Sequence, residues 1–321
     1  MTPGAGLAVR TACPLDCPDG CSLSVVVDDG RLVSVDAAPP DPDDPTLNPL
    51  TSGFICKKVK GHAKRVYAPE RVMTPLVRSG PKGSGRFREA TWDEELDLVV
   101  DRLRATIDEH GPEAVAPYLY TSSGGALASG ALVPLLWEAL GTAEVADTIC
   151  AATAGEAWDL TFGDMPSAHP LSIVDARLVV LWGANPAVSN THLPPLVAEA
   201  KRRGATVVVV DPRRTATAKR ADLHLAVRPG TDVALALAVA ASMETQGLLA
   251  TDFLADHATG VDEHLAAARE WTPERAADVC GIPVEQIVDL AHLLGATRPA
   301  FVRVGWGLER TRNGGLSLIH I

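Results

Sequence analysis

The sequence predicts an α/β protein in which a small β-rich module is followed by domains built on a doubly wound parallel sheet. Two β-rich runs flank a turn near the N-terminus, and the middle of the chain repeats a strand, a turn and a helix three times. The 321 residues exceed the ~50–250 of most single domains. Because 46% of them are hydrophobic, the chain can bury a substantial core.

The N-terminal module is predicted from residues 22–35, where two β-rich runs flank Asp29 and Gly30. An Asp-Gly pair between such runs is a strong β-hairpin signal. Residues 39–52 contain several prolines and aspartates and are therefore predicted to form a loop.

The next segment combines helix and strand signals. Thr91 and Glu94 form a capping-box pattern ahead of helical apolar spacing that continues to about residue 109. A strand is predicted at 114–120 and a helix at 126–140, and the Ser-Gly-rich residues 122–125 between them would let a ligand approach the backbone.

The middle of the chain shows the parallel sheet most clearly. Strands are predicted at 178–182, 206–210 and 223–227, with helices at 192–203 and from Thr231 to about residue 246. Ligands of such sheets bind at the carboxyl ends of the strands. Polar residues suited to a nucleotide gather there, namely Asn185, Asp211, Arg213, Thr215, Thr231 and Asp232. Each could also be an ordinary cap or turn residue, and the absence of a G-x-G-x-x-G pattern disfavours a simple NAD site.

Composition excludes several classes of partner. The formal charge of −11 argues against nucleic acid or an anionic membrane surface as the main partner. No apolar run reaches the ~18–20 residues of a membrane-spanning helix, and no secretory signal is visible. The expected compartment is therefore the cytoplasm.

Cysteine spacing gives the strongest chemical signal. Cys13, Cys17 and Cys21 are each separated by three residues, and Cys56 follows after 34 intervening residues. Clustered thiols in a non-secreted chain indicate metal, and this three-plus-one spacing favours an iron–sulfur cubane over zinc, whose ligands usually come in pairs. Zinc and an incidental grouping remain as alternatives.

Three further residues have an ordinary structural interpretation. Lys58 is either part of a solvated basic patch or a charge between a cluster and a second cofactor. Cys150 and Cys280 each stand alone among apolar residues, as small core cysteines usually do.

The sequence resembles the molybdopterin guanine dinucleotide oxidoreductases, the family of formate dehydrogenases, nitrate reductases and dimethyl sulfoxide reductase. The resemblance extends over residues 10–315. It rests on the four cysteines with Lys58, the segments 67–71 and 74–76, the motifs at 182–186, 211–215 and 228–232, and the glycine-rich stretch at 304–315.

The resemblance implies a role for each matching residue. Cys13, Cys17, Cys21 and Cys56 would ligate a [4Fe-4S] cluster, and Lys58 would lie between that cluster and the pterin. Cys150 would ligate molybdenum or tungsten, which makes Cys150 and Lys58 the candidate catalytic residues. The guanine dinucleotide would be held by Gly183, Asn185, Pro186, Asp211, Pro212, Arg213, Thr215, Gly230, Thr231 and Asp232.

The resemblance also implies a domain organisation. Residues 1–68 would form the [4Fe-4S] module, 69–150 with 298–321 an incomplete pterin-facing domain, and 151–297 the dinucleotide-binding domain. Family members continue far beyond the position of Ile321, so a C-terminally truncated chain is expected. Ala151 follows Cys150 where formate dehydrogenases carry His, which disfavours formate as the substrate.

The function implied is that of a redox enzyme or its N-terminal portion. A small-molecule substrate would exchange an oxygen atom or hydride at the metal, and electrons would pass the pterin, Lys58 and the cluster to a redox partner protein or electron-carrier subunit. Two alternatives keep the fold: an electron-transfer subunit resembling the large iron–sulfur subunit of NADH dehydrogenase, and a non-redox hydratase on the same cofactors.

Overall fold

The computed structural model describes residues 7–51, 53–118, 131–144, 151–164 and 167–321. It divides into two compact units, Met1–Ala146 and Asp147–Ile321. Among the described residues no single helix is long and apolar enough to cross a membrane, although one bent helix pair, Pro273–Cys280 with Val284–Ala296, meets the length and composition criteria together.

The first unit begins with a three-stranded antiparallel sheet. Its strands, in the order β1-β2-β3, are β1 (Leu7–Ala12), β2 (Ser22–Asp28) and β3 (Arg31–Ala37). The turn between β2 and β3 has Asp29 at φ 46° and Gly30 at φ 70°. Positive φ at both central residues matches the twist of the flanking strands, so the predicted hairpin is confirmed.

Two short helices pack on this sheet, α1 (Lys57–Lys60) and α2 (His62–Val66). A small core of Cys21, Leu23, Val35 and Val59 joins α1 to the sheet. A core this small supplies little hydrophobic stabilisation, as is usual for modules held together by a metal centre.

Among its described residues, the remainder of the first unit includes a hairpin and two α-helices. Its elements are β4 (Leu76–Arg78), which pairs antiparallel with β5 (Phe87–Glu89), then α3 (Trp92–His110) and α4 (Val133–Leu140). The predicted cap of α3 is confirmed, because the Thr91 hydroxyl accepts the Glu94 N–H at 3.2 Å. The Glu94 carboxylate does not complete the capping box but pairs with Arg88.

The predicted strand at 114–120 is wrong over its described part. Residues 112–114 form a 3₁₀ turn and 115–118 have no regular structure. The turn begins with Pro112 after Gly111, which has φ 85°, and a proline there starts a helical turn instead of a strand. Residues 119–130, which include the predicted 122–125 loop and the start of the predicted 126–140 helix, lie outside the described residues.

The second unit is built on a four-stranded parallel sheet in the order β8-β7-β6-β9. The strands are β6 (Leu178–Trp182), β7 (Thr206–Val210), β8 (Leu223–Leu225) and β9 (Ala300–Val304). The helices are α5 (Ala152–Phe162), α6 (Pro186–Ser189), α7 (Leu193–Arg202), α8 (Asp232–Thr245), α9 (Thr251–His257), α10 (Val261–Arg269), α11 (Pro273–Cys280), α12 (Val284–Ala296) and α13 (Gly314–His320).

Both faces of this sheet are covered, which confirms the doubly wound prediction. Val180 and Trp182 of β6 face a core shared with α8, α11 and α12. Val179 and Leu181 face the opposite core, which includes residues of α7. Every residue of β6 is buried, as expected for an internal strand of a parallel sheet.

β9 differs from the predicted domain division. Residues 298–321 were assigned with 69–150, but β9 pairs along β6 from Leu178↔Ala300 to Trp182↔Val304. The segment therefore extends the sheet of the second unit. The remaining predicted domain limits stay predictions.

Candidate cofactor sites

The four cysteines of the N-terminal module come together around the end of the small sheet. The Cys13 N–H donates to the Cys21 carbonyl at 2.8 Å, which closes the loop that carries Cys17. Cys13 and Cys56 pack against the buried core that contains Cys21. The sequence-predicted ligands are thus brought to one place from three parts of the chain: the end of β1, the loop before β2 and the start of α1.

Asn48 holds the cysteine loop from outside, and the sequence reasoning missed it. Its side-chain Nδ2 donates to the carbonyls of Asp19 at 2.8 Å and Gly20 at 3.2 Å. Its backbone N–H donates to the Ser22 hydroxyl at 2.9 Å, so one residue fixes both sides of the turn. The Asn within a proline-rich loop was the available signal, since Asn in loops commonly bonds backbone groups.

Electrostatics around the thiols disfavours free thiolates. Burial, then the charge of Asp19 and of the other three cysteines, raises the pKa of Cys21 to about 12. Burial likewise raises the pKa of Cys17, against which the nearby Lys58 ammonium acts in the opposite direction. Thiolates crowded in this way need a cationic centre to ionise, because a metal deprotonates its thiol ligands. The donor set therefore fits a bound metal centre.

Within the described ranges, no three His, Cys, Asp or Glu side chains are placed to hold one metal ion. The preference for a cubane over a single zinc ion therefore rests on the spacing of the four cysteines along the chain.

The two candidate catalytic residues differ in what the structure says of them. Lys58 lies in the first turn of α1, two residues after Cys56, and its side chain is exposed. Cys150 lies outside the described residues, one position before Ala151 and the start of α5.

At the carboxyl edge of the parallel sheet, glycines allow β6 and β9 to approach closely. Gly183 has φ 61° and follows β6 directly. A Cβ added to Gly305 would lie 2.4 Å from the Gly183 carbonyl oxygen, and one added to Gly307 would lie 2.7 Å from it. The Gly305 N–H donates to the Trp182 carbonyl at 2.8 Å. The glycines of this motif thus close the sheet edge through backbone contact.

Asn185 and Asp211 stand at the ends of the neighbouring strands β6 and β7. The Thr217 hydroxyl donates to Asn185 Oδ1 at 2.7 Å. The Arg213 N–H donates to Asp211 Oδ1 at 2.8 Å, while the Arg213 side chain is exposed and forms no hydrogen bond or ion pair among the described residues. The Thr215 hydroxyl accepts the Ala218 N–H at 3.1 Å.

Asp232 is the first residue of α8, the helix that follows β8 in the chain. Asp232 is 8% exposed, and its Oδ1 accepts the indole N–H of Trp182 at 2.8 Å. Burial raises the pKa of Asp232, the indole hydrogen bond lowers it, and the charge of Asp211 raises it further. Thr231 does not cap α8 through its side chain; its hydroxyl donates to the Arg228 carbonyl at 2.7 Å instead.

The remaining members of the predicted dinucleotide set are backbone positions. Gly230, at φ 82°, forms the turn before α8, Pro186 is the first residue of α6, and Pro212 lies in the exposed turn after β7. Sequence reasoning missed the roles of Trp182 and Thr217, each of which hydrogen-bonds a predicted site residue. No local pattern marks either partner, because each pair joins residues more than thirty positions apart.

Cys280 fits its predicted core role, since it is 0% exposed and belongs to the hydrophobic core of the second unit.

Comparisons with known proteins match both parts of the chain to family models. The family model described as Molybdopterin oxidoreductase matches residues 71–318, and the model described as Molybdopterin oxidoreductase Fe4S4 domain matches residues 8–68. The chain is 33% identical over 307 residues to "Probable oxidoreductase YoaE" of Bacillus subtilis, covering 96% of this chain and 44% of that protein. It is 31% identical to the dimethyl sulfoxide reductase DmsA of Haemophilus influenzae, covering 96% of this chain and 42% of DmsA.

Among solved structures, acetylene hydratase from Pelobacter acetylenicus matches with a TM-score of 0.77 at 22% identity, over 96% of this chain and 42% of that one. This likeness shows the fold. The chain spans less than half the length of these relatives. The two matched models correspond to the cysteine module and to the region of the parallel sheet, and they indicate a [4Fe-4S] cluster and a molybdopterin cofactor. The chain belongs to the molybdopterin oxidoreductase family.

Proposed function

We propose that this chain forms part of a molybdopterin-dependent oxidoreductase in which electrons pass between a molybdenum or tungsten pterin site and a [4Fe-4S] cluster. The observation that carries the proposal is the presence, in one chain, of a four-cysteine module and a parallel-sheet edge lined with nucleotide-type polar residues. When bound, the metal–pterin group supplies oxygen-atom or hydride exchange with the substrate, chemistry that belongs to the cofactor.

The protein's own residues would hold the cofactors in position. Cys13, Cys17, Cys21 and Cys56 would hold the cluster, with the Lys58 ammonium favouring negative charge near Cys17. Cys150 would be the protein ligand of the molybdenum or tungsten. The dinucleotide would be held by Gly183, Asn185, Pro186, Asp211, Pro212, Arg213, Thr215, Gly230, Thr231 and Asp232.

The hydrogen-bonding groups of these residues suggest which part of the dinucleotide each residue would bind. Carboxylates such as Asp211 and Asp232 accept from ribose hydroxyls or from the N–H groups of a purine. The exposed guanidinium of Arg213 can pair with a pyrophosphate in a two-point contact. Asn185 offers both a donor and an acceptor.

The cluster is tested by metal analysis of the protein purified without oxygen. We expect about four iron atoms per chain and a paramagnetic signal after reduction with dithionite. Cys56→Ser should lose most of the iron, whereas Cys280→Ala, at a buried cysteine outside the module, should keep it. Equal iron in both variants would show that the module does not bind the cluster through these cysteines.

The reaction class is tested on the same protein supplied with molybdenum or tungsten cofactor. Substrate turnover should require an electron acceptor or donor and should fall sharply in Cys150→Ser. Product formation without any electron acceptor would indicate a hydratase instead. A protein that contains iron but neither molybdenum nor tungsten would indicate an electron-transfer subunit.

A further inference from the structure

A strongly basic surface lies beside the cysteine module of this acidic protein. Residues 54–71 contain six Lys or Arg and one Glu, a formal charge of +5, whereas the whole chain carries −11. Four of the seven lysines in the sequence fall between residues 57 and 64. We define the basic surface as four exposed residues of α1 and α2, namely Lys57, Lys60, Lys64 and Arg65. Lys58 is left out because it is the candidate residue beside the cluster.

The packing of α1 turns these charges outward. Val59 is 2% exposed and packs into the core formed by Cys21, Leu23 and Val35. Because one side of this single-turn helix is anchored by Val59, its three lysines are left on the solvent side. The basic surface therefore begins directly after Cys56, the cysteine that precedes α1.

The charges of the basic surface are not balanced locally. In the part of the chain that the structure describes, none of its four residues forms an ion pair, whereas Lys201 pairs with Asp222 and Arg203 with Glu199 elsewhere. Unbalanced like charges repel one another and are unfavourable for folding. A stretch that concentrates them at one place is better explained by a partner that supplies the opposite charge.

An amphipathic groove adjoins the basic surface. It is an open groove of about 640 Å³ between α2 and β3, and Lys64, Arg31, Val33 and Tyr67 are among its lining residues. Tyr67 is fixed in place because its hydroxyl accepts the Leu32 N–H at 2.8 Å. The Arg31 guanidinium lies 3.9 Å from the centre of the Tyr67 ring.

That groove contains two residues of types that are common at protein interfaces. Arg31 and Tyr67 line it, and Tyr and Arg are among the residue types enriched at interface hot spots. Glu70 is the one acid among the residues that line it.

We propose that the basic surface and this groove form the docking site of a small acidic electron-carrier protein. The inference rests on the proposed function, since it presumes a cluster held by Cys56 and its partners. One electron would cross at this site: the carrier is oxidised by one electron as the cluster is reduced by one, or the reverse when the enzyme oxidises its substrate.

Charge selects a compact acidic protein over other polyanions. A long nucleic acid or an anionic membrane would extend beyond the basic surface and meet the rest of a chain with charge −11. A small protein with a local acidic face would experience attraction here and repulsion elsewhere. Such steering raises association rates from about 10⁵–10⁶ to as much as 10⁸–10⁹ M⁻¹s⁻¹ at low salt.

The test uses the cluster-loaded protein and an acidic plant-type [2Fe-2S] ferredoxin as the probe. We compare Lys60→Glu/Lys64→Glu with Lys82→Glu, an exposed lysine in the same unit outside the basic surface. Binding is measured by titration calorimetry, and electron exchange by stopped-flow absorbance, at about 0.01 M and about 1 M salt, where the Debye length falls from about 30 Å to about 3 Å.

We expect the double variant to weaken ferredoxin binding and slow electron exchange at least about tenfold at low salt, with little difference at high salt. Lys82→Glu should match the unaltered protein. Reduction by dithionite, which needs no docking, should be the same in all three. Equal ferredoxin affinity of the double variant and the unaltered protein at low salt would overturn the docking proposal.

The outcomes also separate this inference from the proposed function. If the cluster signal is intact but ferredoxin affinity does not change when the basic surface is altered, the docking site alone is refuted. Absence of a reducible cluster in the unaltered protein refutes the proposed function. Tighter binding of anionic vesicles or of single-stranded nucleic acid than of ferredoxin would assign the basic surface to a different partner and overturn the proposal.

Discussion

The buried pair formed by Trp182 and Asp232 gives the sharpest energetic prediction. Trp182 is 2% exposed and donates its indole N–H to Asp232 Oδ1 at 2.8 Å. Trp182→Phe keeps an aromatic ring in the core but removes this donor. A hydrogen bond to a charged group contributes about 1.5–3 kcal/mol, and the lost ring volume adds about 1–2 kcal/mol.

The effect should depend on pH, and its sign follows from the pKa of Asp232. Burial raises that pKa, so ionisation of the carboxyl group opposes folding and stability falls as the pH rises through the folded-state value. The indole hydrogen bond offsets part of this cost and is stronger when Asp232 is charged, although a neutral carboxyl oxygen still accepts it. The penalty of Trp182→Phe should therefore be greatest at about pH 7 and shrink, as Asp232 is protonated, towards the volume cost plus the smaller contribution of a neutral hydrogen bond.

A double-mutant cycle isolates the hydrogen bond from the packing change. The free energy of unfolding is measured by urea denaturation for Trp182→Phe, Asp232→Ala and the double variant, from about pH 7 down to the lowest pH at which the protein remains folded. We expect a coupling energy of about 1.5–3 kcal/mol at about pH 7 that becomes smaller as the pH is lowered and Asp232 is protonated. A matched control is Trp137→Phe, because the Trp137 indole N–H has no partner among the described residues.

A coupling energy below about 0.5 kcal/mol at neutral pH would refute the reasoning, because errors in additivity are of that size. So would a coupling that is constant across the pH range, since a hydrogen bond whose strength depends on the carboxylate charge must weaken on protonation. An equal pH dependence for Trp137→Phe would show that the change reports the unfolding of the whole protein.

Three further predictions concern steric fit, a helix terminus and a surface ion pair. Gly305→Ala should destabilise the second unit by about 1–3 kcal/mol in urea unfolding, because its Cβ would meet the Gly183 oxygen at 2.4 Å; Gly155→Ala, in open space within α5, should instead be neutral or stabilise by up to about 1 kcal/mol. Glu309→Ala should cost about 0.5–2 kcal/mol, measured in the same way, since Glu309 Oε2 accepts the Ala154 N–H at the start of α5, and an unchanged midpoint would mean that this contact does not stabilise the helix. Lys201→Ala should cost at most about 1 kcal/mol and lose its effect in high salt, because its bond to Asp222 is half exposed.

The accuracy of the sequence predictions depended on how fully an element is buried. β6 and β7 were predicted with their observed limits, because strands enclosed on both faces leave uninterrupted apolar runs that end abruptly at Gly183 and Asp211. β8 was predicted at 223–227 but ends at Leu225. The helix predicted at 192–203 is observed as Leu193–Arg202, a difference of one residue at each end.

The errors have a different physical origin. The segment 114–120 has the apolar residues that favour a strand. Gly111 and Pro112 nevertheless start a 3₁₀ turn just before it, and strand propensity alone does not take that turn into account. The sequence also contains no signal that β9 pairs with β6, because strand order in a sheet is a long-range property. What brings them together is the contact among Gly183, Gly305 and Gly307, which becomes visible only once both segments are folded.

The predicted binding residues of the sheet edge are held by hydrogen bonds within the protein. Asn185 uses its oxygen to accept from Thr217, and in the described part of the chain its amide nitrogen donates no hydrogen bond. Asp211 accepts the Arg213 N–H at Oδ1, and its Oδ2 accepts no hydrogen bond from the same residues. Each side chain is thus held by one hydrogen bond and keeps further capacity for a ligand. Because the holding bonds already restrict side-chain rotation, binding a dinucleotide here would cost less conformational entropy than at a surface of freely rotating groups.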